Sequence, residues 1–292
     1  MAAEGKIGVL TYFDYTNSEG ESAFNFERQY FSYAGVASDN IDFKIIFDVG
    51  RTGEDTRLAA YLKKAQIDYK TSYGNVSMGL IGMNTHSVQE KNWGNRFIEK
   101  SVMDKNKYST SADLGIGFSR LLREYLTISL QIVNGEGYQK PQGDKYHKIT
   151  FNATYGEQKL NKNDGYNAGL VYSNESTDSD PTNMISAFGG FSGMGLRLGA
   201  EYDLLTKGDA ESNIISVSAN YDLKDDMDVF VRYDIYDPDT KAKNDGDNYL
   251  IAGIILNCGS GLSVAPNVRI TTYEDTDKEV SNEYKINLKF KF

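Results

Sequence analysis

Few side chains in this chain have the types and spacing that chemistry requires. The two histidines, His86 and His147, have no Cys, His or carboxylate partner at a metal-ligand spacing, and we expect both to be solvated. Cys258 is the only cysteine, so it forms no internal disulfide, and we expect it to be a buried small side chain. No Ser, His and Asp arrangement stands out. We therefore expect no catalytic residues, no metal, no cofactor and no enzyme activity.

Two other runs could bind ligands. Gly189 to Gly195 is rich in glycine, but it lies between two strand-like segments with no helix to receive a phosphate, so a tight turn explains it better. Asp237 to Asn248 is rich in aspartate and resembles a calcium loop only loosely, because it lacks the closing Glu. Surface calcium is a minor alternative for this run.

The connection 83–110 combines charged side chains with apolar ones. Trp93, Phe97, Ile98 and Val102 predict one or two helical turns and a packed loop. If the loop folds into an enclosed wet space, its charges become candidates for a constriction, where opposite charges set ion selectivity and size cutoff. The six candidates are Glu90, Lys91, Arg96, Glu99, Lys100 and Asp104. A loop that only caps the opening remains the alternative.

The elements around this loop show alternation with a period of two, which is typical of strands with two different faces. In 283–292, Tyr284, Ile286 and Phe290 point one way while Lys285 and Lys289 point the other. The pattern recurs between turn signals and predicts sixteen strands. They span 6–15, 24–37, 41–49, 61–72, 76–82, 112–121, 125–134, 146–157, 166–173, 183–191, 195–206, 213–222, 228–236, 248–257, 262–273 and 282–292.

The polar faces of these strands indicate which side of the sheet is hydrated. A closed sheet of so many strands encloses a large space, and unpaired charges in a dry interior would each cost several kcal/mol. A hydrated lumen with lipid outside is therefore favoured. The candidates for lumen-facing side chains are Asp42, Lys44, Arg197, Glu201, Asp203, Arg232, Arg269, Lys285 and Lys289.

The connections fall into two classes. Those after even-numbered strands are mostly short, as at Ser38 to Asn40, whereas those after odd-numbered strands are longer and polar, as at 174–182, 237–247 and 274–281. This asymmetry is typical of an outer-membrane barrel with short periplasmic turns and longer extracellular loops. Tyrosines near the strand ends could form the interfacial girdles.

No apolar run approaches the roughly 18 residues of a membrane-spanning helix. Met1 to Glu4 leads directly into a strand-like segment, so we expect an exported chain whose leader has been removed. The formal net charge of −10 mildly favours cations, or no strong preference, for the solute. We expect no nucleic-acid partner.

The segment Phe24 to Asp48 resembles the second and third strands of phosphate-selective-type porins, where an Arg and an aromatic residue precede a short turn and a strand ending in Asp. Ser111 to Ile116 and the terminal Phe292 are similarly porin-like. The resemblance implies a trimeric, 16-stranded channel with an inward-folded loop, and it implies that Phe292 is a signal for outer-membrane assembly. The arginine and lysine rows that bind phosphate in that family have no counterparts that can be placed here.

The sequence thus predicts an all-β, transmembrane, antiparallel up-and-down barrel over residues 1–292. As a function it predicts a porin in the bacterial outer membrane that passes ions and small hydrophilic solutes. The expected partners are the bilayer, lipopolysaccharide, the assembly machinery and two further copies of the chain. The main alternative is a non-conducting structural or adhesin barrel plugged by its long loop. A barrel enzyme and a soluble β-sandwich are the weaker alternatives.

Overall fold

The computed structural model describes residues 4–52 and 55–292, and within these ranges sixteen antiparallel strands form one closed barrel. Each strand pairs with its neighbours in the chain, and the first pairs with the last. The predicted fold class and all sixteen predicted strands are confirmed. Met1 to Ala3, part of the segment behind the expectation of a removed leader, lie outside the described residues.

The strand boundaries lie close to those predicted, and most strands are somewhat longer. The strands are β1 (Glu4–Ser18), β2 (Glu21–Ser38), β3 (Ile41–Thr52), β4 (Asp55–Thr71), β5 (Gly74–Gly82), β6 (Ala112–Arg123), β7 (Leu126–Val133), β8 (Lys148–Gly156), β9 (Gly165–Glu175), β10 (Thr182–Gly193), β11 (Leu196–Lys207), β12 (Ala210–Lys224), β13 (Met227–Asp237), β14 (Asp247–Asn257), β15 (Leu262–Tyr273) and β16 (Ser281–Lys291).

The barrel closes where β1 meets β16, with Leu10 opposite Lys291 and Ser18 opposite Glu283. Val9 and Phe292 extend this ladder by exchanging two backbone hydrogen bonds of 2.9 and 3.1 Å. Closure leaves no strand edge unpaired, which removes the usual route to edge-to-edge aggregation.

The alternation of apolar and polar residues places the two faces as predicted. On β16, Ile286 and Phe290 are 42% and 40% exposed on the outer surface, whereas Asn287 is 2% exposed. Lys285 points inward, where its ammonium lies 3.8 Å from Asp14. Apolar side chains therefore face outward and polar ones face the lumen, the reverse of a soluble barrel.

The two ends of the barrel differ, although less sharply than predicted. Connections after even-numbered strands are mostly two-residue turns, and we call this the short-turn end; the opposite end is the long-loop end. The expectation fails at β1–β2 and β11–β12, where the odd-numbered connections are only the tight turns Glu19–Gly20 and Gly208–Asp209. Conversely, 157–164 at the short-turn end is long and buries Leu160.

The glycine-rich run ends in the tight turn between β10 and β11, as predicted, but its first five residues, 189–193, belong to β10. Met194 and Gly195 adopt φ values of +55° and +75°, the left-handed pair that a type I′ hairpin requires. Glycine at the second position adopts this conformation without steric strain.

Two of the β-bulges in the wall near the N terminus turn consecutive side chains inward. The register between β3 and β4 shifts after Ile46, so Lys63 and Lys64 are both turned into the lumen. A similar shift opposite Tyr12 leaves both Glu27 and Arg28 lining the lumen. A bulge places two consecutive side chains opposite one residue of the partner strand, which alternation alone does not predict.

In residues 4–52 and 55–292, helical structure occurs only in the connection between β5 and β6, which we call the long loop (83–111). It contains α1 (Gln89–Trp93) and α2 (Val102–Lys105), the short helical turns that the sequence predicts. Among the described residues, neither helix is long and apolar enough to cross a membrane. Cys258 is exposed, so the expectation of a buried thiol was wrong.

Candidate functional site

The long loop lies inside the barrel and packs against the inner face of its wall. α1 ends at Gly94, whose φ of +76° lets the chain reverse toward the tip of the loop at 95–100. α2 then returns the chain toward β6. The loop therefore has two short rigid segments, and each presents an apolar side and a polar side.

The first anchor of the loop is apolar. Val88, Val102, Met103 and Tyr108 form one buried cluster with inward-facing residues of β9, β10 and β12. The wall contributes Val171, Met184, Phe188 and Ile214. Apolar contact of this kind excludes water from one side of the lumen. The part of the barrel interior beside β9, β10 and β12 is thus a packed core rather than an open pore.

The second anchor holds the tip of the loop. Trp93, Phe97 and Ile98 pack against β13, β14 and β15, where Phe230 meets the Trp93 ring edge-to-face at 5.9 Å. The wall residues of this cluster are Phe230, Tyr249, Ile251, Ile255 and Ala265. Phe97 also reaches the opposite side, with its ring 6.3 Å from that of Tyr12. The tip therefore crosses the lumen from β13 toward β1.

Polar side chains complete the anchoring. Asn92 and Asn167 exchange two amide hydrogen bonds of 2.9 Å, and Asn95 donates to Asn220. Arg197 donates to the carbonyls of Asn92 and Trp93 at 3.1 and 3.2 Å. Buried amides and guanidinium groups need such partners, because an unsatisfied one costs about 1–3 kcal/mol.

Two arginines of the wall bind the tip. Arg232 forms a bidentate pair with Asp234 and donates to the carbonyl of Lys100 at 2.6 Å. Arg269 donates to the Glu99 carboxylate at 3.0 Å and to the Ile98 carbonyl at 2.6 Å. These contacts hold the backbone at the tip from β13 and β15, the two strands on either side of β14.

The neighbouring cations favour the ionised form of the Glu99 carboxyl group. Burial opposes its charge, but Arg269, Arg232 and Lys105 outweigh that effect and hold the pKa of Glu99 below its ordinary value. The hydroxyl of Tyr249 also donates to its carboxylate at 3.1 Å. Glu99 is thus a charged anchor that is paired with the wall at the edge of the lumen.

Arg96 occupies the free side of the loop. Its guanidinium pairs with Glu90 of α1 and, at 2.8 Å, with Asp104 of α2, so it ties the two helical turns together. Burial raises the pKa of the Asp104 carboxyl, but Arg96 overcomes this and lowers it overall. His86 lies beside these carboxylates, and burial lowers the pKa of its imidazole.

The wall opposite Arg96 is basic and aromatic. The hydroxyl of Tyr30 accepts hydrogen bonds from Arg28 at 2.5 Å and from Lys63 at 2.7 Å. Beneath them, the buried carboxylate of Asp48 lies 3.4 Å from Arg28 and 3.6 Å from Lys63. Lys63 also lies over the ring of Tyr138, which comes from the connection between β7 and β8. This cluster lines the lumen opposite Arg96, and we call the space between the two the passage.

Arg96 lies between three cavities of the barrel interior. A cavity of about 750 Å³ opens at the short-turn end, and we call it the short-turn cavity. Cavities of about 370 Å³ and 560 Å³ lie toward the long-loop end, and Arg96 lines all three. Tyr12 and Phe97 are shared by the short-turn cavity and the 370 Å³ cavity. Arg96, Phe97 and Tyr12 therefore mark the narrow region between the two ends.

The charges that line these cavities are mainly basic, although the chain is acidic overall. Glu90 is the only acidic residue lining the short-turn cavity among the described residues. The basic ones are Lys44, Lys63, Lys64, Lys91, Arg96, Lys289 and Lys291. Acidic side chains line the 370 Å³ cavity at Asp14, Glu27 and Glu99, again with more basic neighbours.

The structure separates the six constriction candidates into different environments. Glu90, Arg96 and Asp104 form one ion-pair cluster, and Lys91 lines the short-turn cavity. Glu99 is held against the wall by Arg269. Lys100 is exposed at the long-loop side and lines the 370 and 560 Å³ cavities.

The nine lumen-facing candidates also divide into groups. Lys44 and Lys289 line the short-turn cavity, and Lys285 lines the 370 Å³ cavity. Arg197, Arg232 and Arg269 bind the loop, and Glu201 and Asp203 lie in the wall behind it. Asp42 forms an ion pair of 2.6 Å with Lys70 near the short-turn end.

Sequence reasoning missed several residues of the passage. Arg28, Lys63 and Lys64 were not candidates, because they lie at bulges where the alternation breaks. His86 was expected to be solvated with no partner at a ligand spacing; in fact it is buried and lies near Glu90 and Asp104. The spacing of four residues between His86 and Glu90, one helical turn, was the available signal. His147 is exposed, as expected.

No protein-family model matches this chain, and no curated protein is similar to it in sequence. Solved structures, however, share its fold. OmpF of Salmonella typhi, in a complex with daunomycin, superposes with a TM-score of 0.74 and 11% identity over 99% of this chain and 97% of that chain. An anion-selective porin from Comamonas acidovorans gives 0.72 and 10% over 100% of both chains. A trimer form of OmpT from Vibrio cholerae gives 0.69 and 11%, also over 100% of both.

Proposed function

From this porin-type barrel we infer that the chain forms a water-filled channel in the bacterial outer membrane, through which ions and small hydrophilic solutes diffuse. The observation that carries the proposal is that Arg96 lines cavities on the sides of both barrel ends, inside a wall whose outer face is apolar. A polar lumen in an apolar shell suits transport across a bilayer.

The outer surface supports the membrane location. Exposed apolar side chains run along the middle of the strands, as at Leu170 and Val217. Tyr125, Tyr155 and Tyr166 cluster on the outside near the short-turn end, with ring centroids about 6 Å apart. Tyrosine rings favour the lipid headgroup level. The short turns then face the periplasm, and the longer loops face the outside and its lipopolysaccharide.

The proposal includes the assembly of the barrel in the outer membrane. Phe292 is 70% exposed beside Phe290 at the end of the closing strand, a position accessible to assembly machinery. A homotrimer is the expected oligomer, in keeping with the trimer form of one structure of the same fold. No enzymatic role is proposed for the barrel.

The lumen charges lead us to propose a preference for anions, in contrast to the mild expectation of cations from net charge. Lys44, Lys64 and Lys91 line the short-turn cavity, and no carboxylate of the described residues lies within ion-pair distance of them. Unpaired charges in a low-dielectric passage concentrate ions of opposite sign.

A plugged barrel is the second candidate, because the long loop is anchored by two apolar clusters and several hydrogen bonds. An open porin and a plugged barrel predict different conductances. Purified protein in a planar bilayer should show stepwise, ohmic current for a porin. A silent membrane that begins to conduct after deletion of residues 88–104 would instead establish a plug.

Selectivity is tested by the reversal potential in a potassium chloride gradient. We expect chloride to permeate better than potassium. The triple variant K44Q/K64Q/K91Q should reduce that preference, whereas K145Q, on an exposed loop, should not change it. Preference for potassium in the parent protein would refute anion selectivity while leaving the porin proposal intact.

A further inference from the structure

Three potential metal ligands converge on the free side of the long loop. The amide of Glu90 donates to the carbonyl of His86, so the two residues lie one helical turn apart. Asp104 reaches the same point from α2. One ligand atom from each of His86, Glu90 and Asp104 lies within 4.8 Å of the other two, and among the described residues this is the only such group.

His86 distinguishes this group from an ordinary acidic cluster. Its side chain is buried, with 3% of the residue exposed, and it also lines the short-turn cavity. Within the part of the chain that the structure describes, the hydrogen bond of its ring is a long one of 3.5 Å between Nδ1 and the Thr85 hydroxyl. One ring nitrogen of this buried side chain lies within 4.8 Å of a carboxylate oxygen of both Glu90 and Asp104, so it can ligate an ion together with them.

We propose that His86, Glu90 and Asp104 bind a divalent transition-metal ion such as Zn²⁺, and that the ion takes the place of the Arg96 guanidinium. One imidazole and two carboxylates suit borderline ions, with a fourth position left for water. Calcium and magnesium are disfavoured, because they prefer ligand sets made entirely of oxygen. Binding itself does not depend on conduction.

Arg96 is the competitor for this site. Its guanidinium now neutralises both carboxylates by pairing with Glu90 and Asp104. A tetrahedral ion about 2.1 Å from each ligand would require ligand atoms about 3.4 Å apart. The three side chains must therefore approach one another by rotation as Arg96 leaves. Arg28 and Lys63 lie across the passage, so the ion enters a basic surrounding and binds more weakly than at a preformed site.

Binding would alter the passage, because Arg96 lines all three cavities. The ion would add charge at the narrow region, and the released guanidinium would turn toward the lumen. Under the proposed porin function, Zn²⁺ should change both conductance and ion preference.

The test measures Zn²⁺ binding directly, by equilibrium dialysis of the folded protein in detergent. We expect one Zn²⁺ per chain, binding that is lost in H86N, and binding that is unchanged in H147N, where the other histidine is replaced. R96Q should bind at least about tenfold more tightly, because the competing cation is gone. Co²⁺ should quench Trp93, the only tryptophan of the chain, in the parent protein and not in H86N.

The outcomes that overturn the proposal are specific. If R96Q binds no Zn²⁺, the three side chains do not form a site even without their competitor. If H86N binds as tightly as the parent protein, Zn²⁺ is held by other carboxylates. Heat-modified migration of each variant in gels shows that the barrel has folded, so loss of binding is not confused with misfolding. A silent bilayer would refute the porin function without affecting these measurements.

Discussion

Arg269 on β15 and Glu99 at the tip of the long loop form an ion pair of 3.0 Å, although they are 170 residues apart in the chain. The same guanidinium donates to the Ile98 carbonyl. Both side chains are largely buried, with 8% and 15% exposed. This pair is therefore one of the contacts that hold the tip in the lumen.

Arg269→Gln should release the tip. Removing one partner of a buried ion pair leaves the other charge uncompensated and typically costs about 3–5 kcal/mol, with the lower end appropriate here because Glu99 keeps the Tyr249 hydroxyl. We expect faster amide hydrogen exchange at residues 95–105 and noisier single-channel current. Asp178→Asn, which breaks the exposed pair with Lys145, should change neither. Unchanged exchange in the Arg269 variant would contradict this role.

Acidification should loosen the same contact. Because the pKa of Glu99 is lowered in the folded protein, its contribution to docking is complete above its ordinary value of 4.5 and is lost as the pH falls through the lowered pKa. Trp93 fluorescence should stay constant between pH 8 and pH 5 and change only in stronger acid. Glu99→Gln should reduce that acid-dependent change. A transition between pH 8 and pH 5 would show that another group controls the loop.

Trp93→Ala should detach the tip while leaving the barrel intact. The Trp93 ring is 3% exposed and packs against Phe230, with Arg232 5.3 Å from its centroid. Truncation of a buried tryptophan costs about 3–5 kcal/mol, but the strand ladders do not involve this side chain. We expect trypsin to cleave the variant at Lys91 or Arg96. Met194→Ala, in an exposed turn, is the control and should resist trypsin like the parent protein.

A charge on the outer face tests the membrane location. Leu170 lies at the centre of β9 and is 60% exposed. Leu170→Lys should destabilise the barrel in lipid vesicles by about 2–4 kcal/mol, since a lysine at mid-bilayer loses its hydration. Tyr125→Lys, in a turn at the short-turn end, should have a much smaller effect. The free energy of unfolding of each variant is measured in vesicles with urea. Equal decreases in the two variants would argue against a bilayer around β9.

The sequence was sufficient for the strands and their faces. The period of two is a local property of an extended chain, so the pattern in 283–292 already placed Ile286 outward and Lys285 inward. The length and apolar content of 83–110 likewise indicated a packed loop with short helical turns. Both predictions depend only on residues that are close to one another in the sequence.

Only the tertiary structure decided which charges meet across the lumen. Lys63 and Lys64 face the passage together because a bulge shifts the register between β3 and β4, and local alternation carries no signal for that shift. Arg96 reaches Asp104 through the fold of the loop, and Glu99 reaches Arg269 through closure of the barrel. Such pairs form when distant segments are brought together, so the residues that surround the narrow region are a property of the closed barrel and its inserted loop.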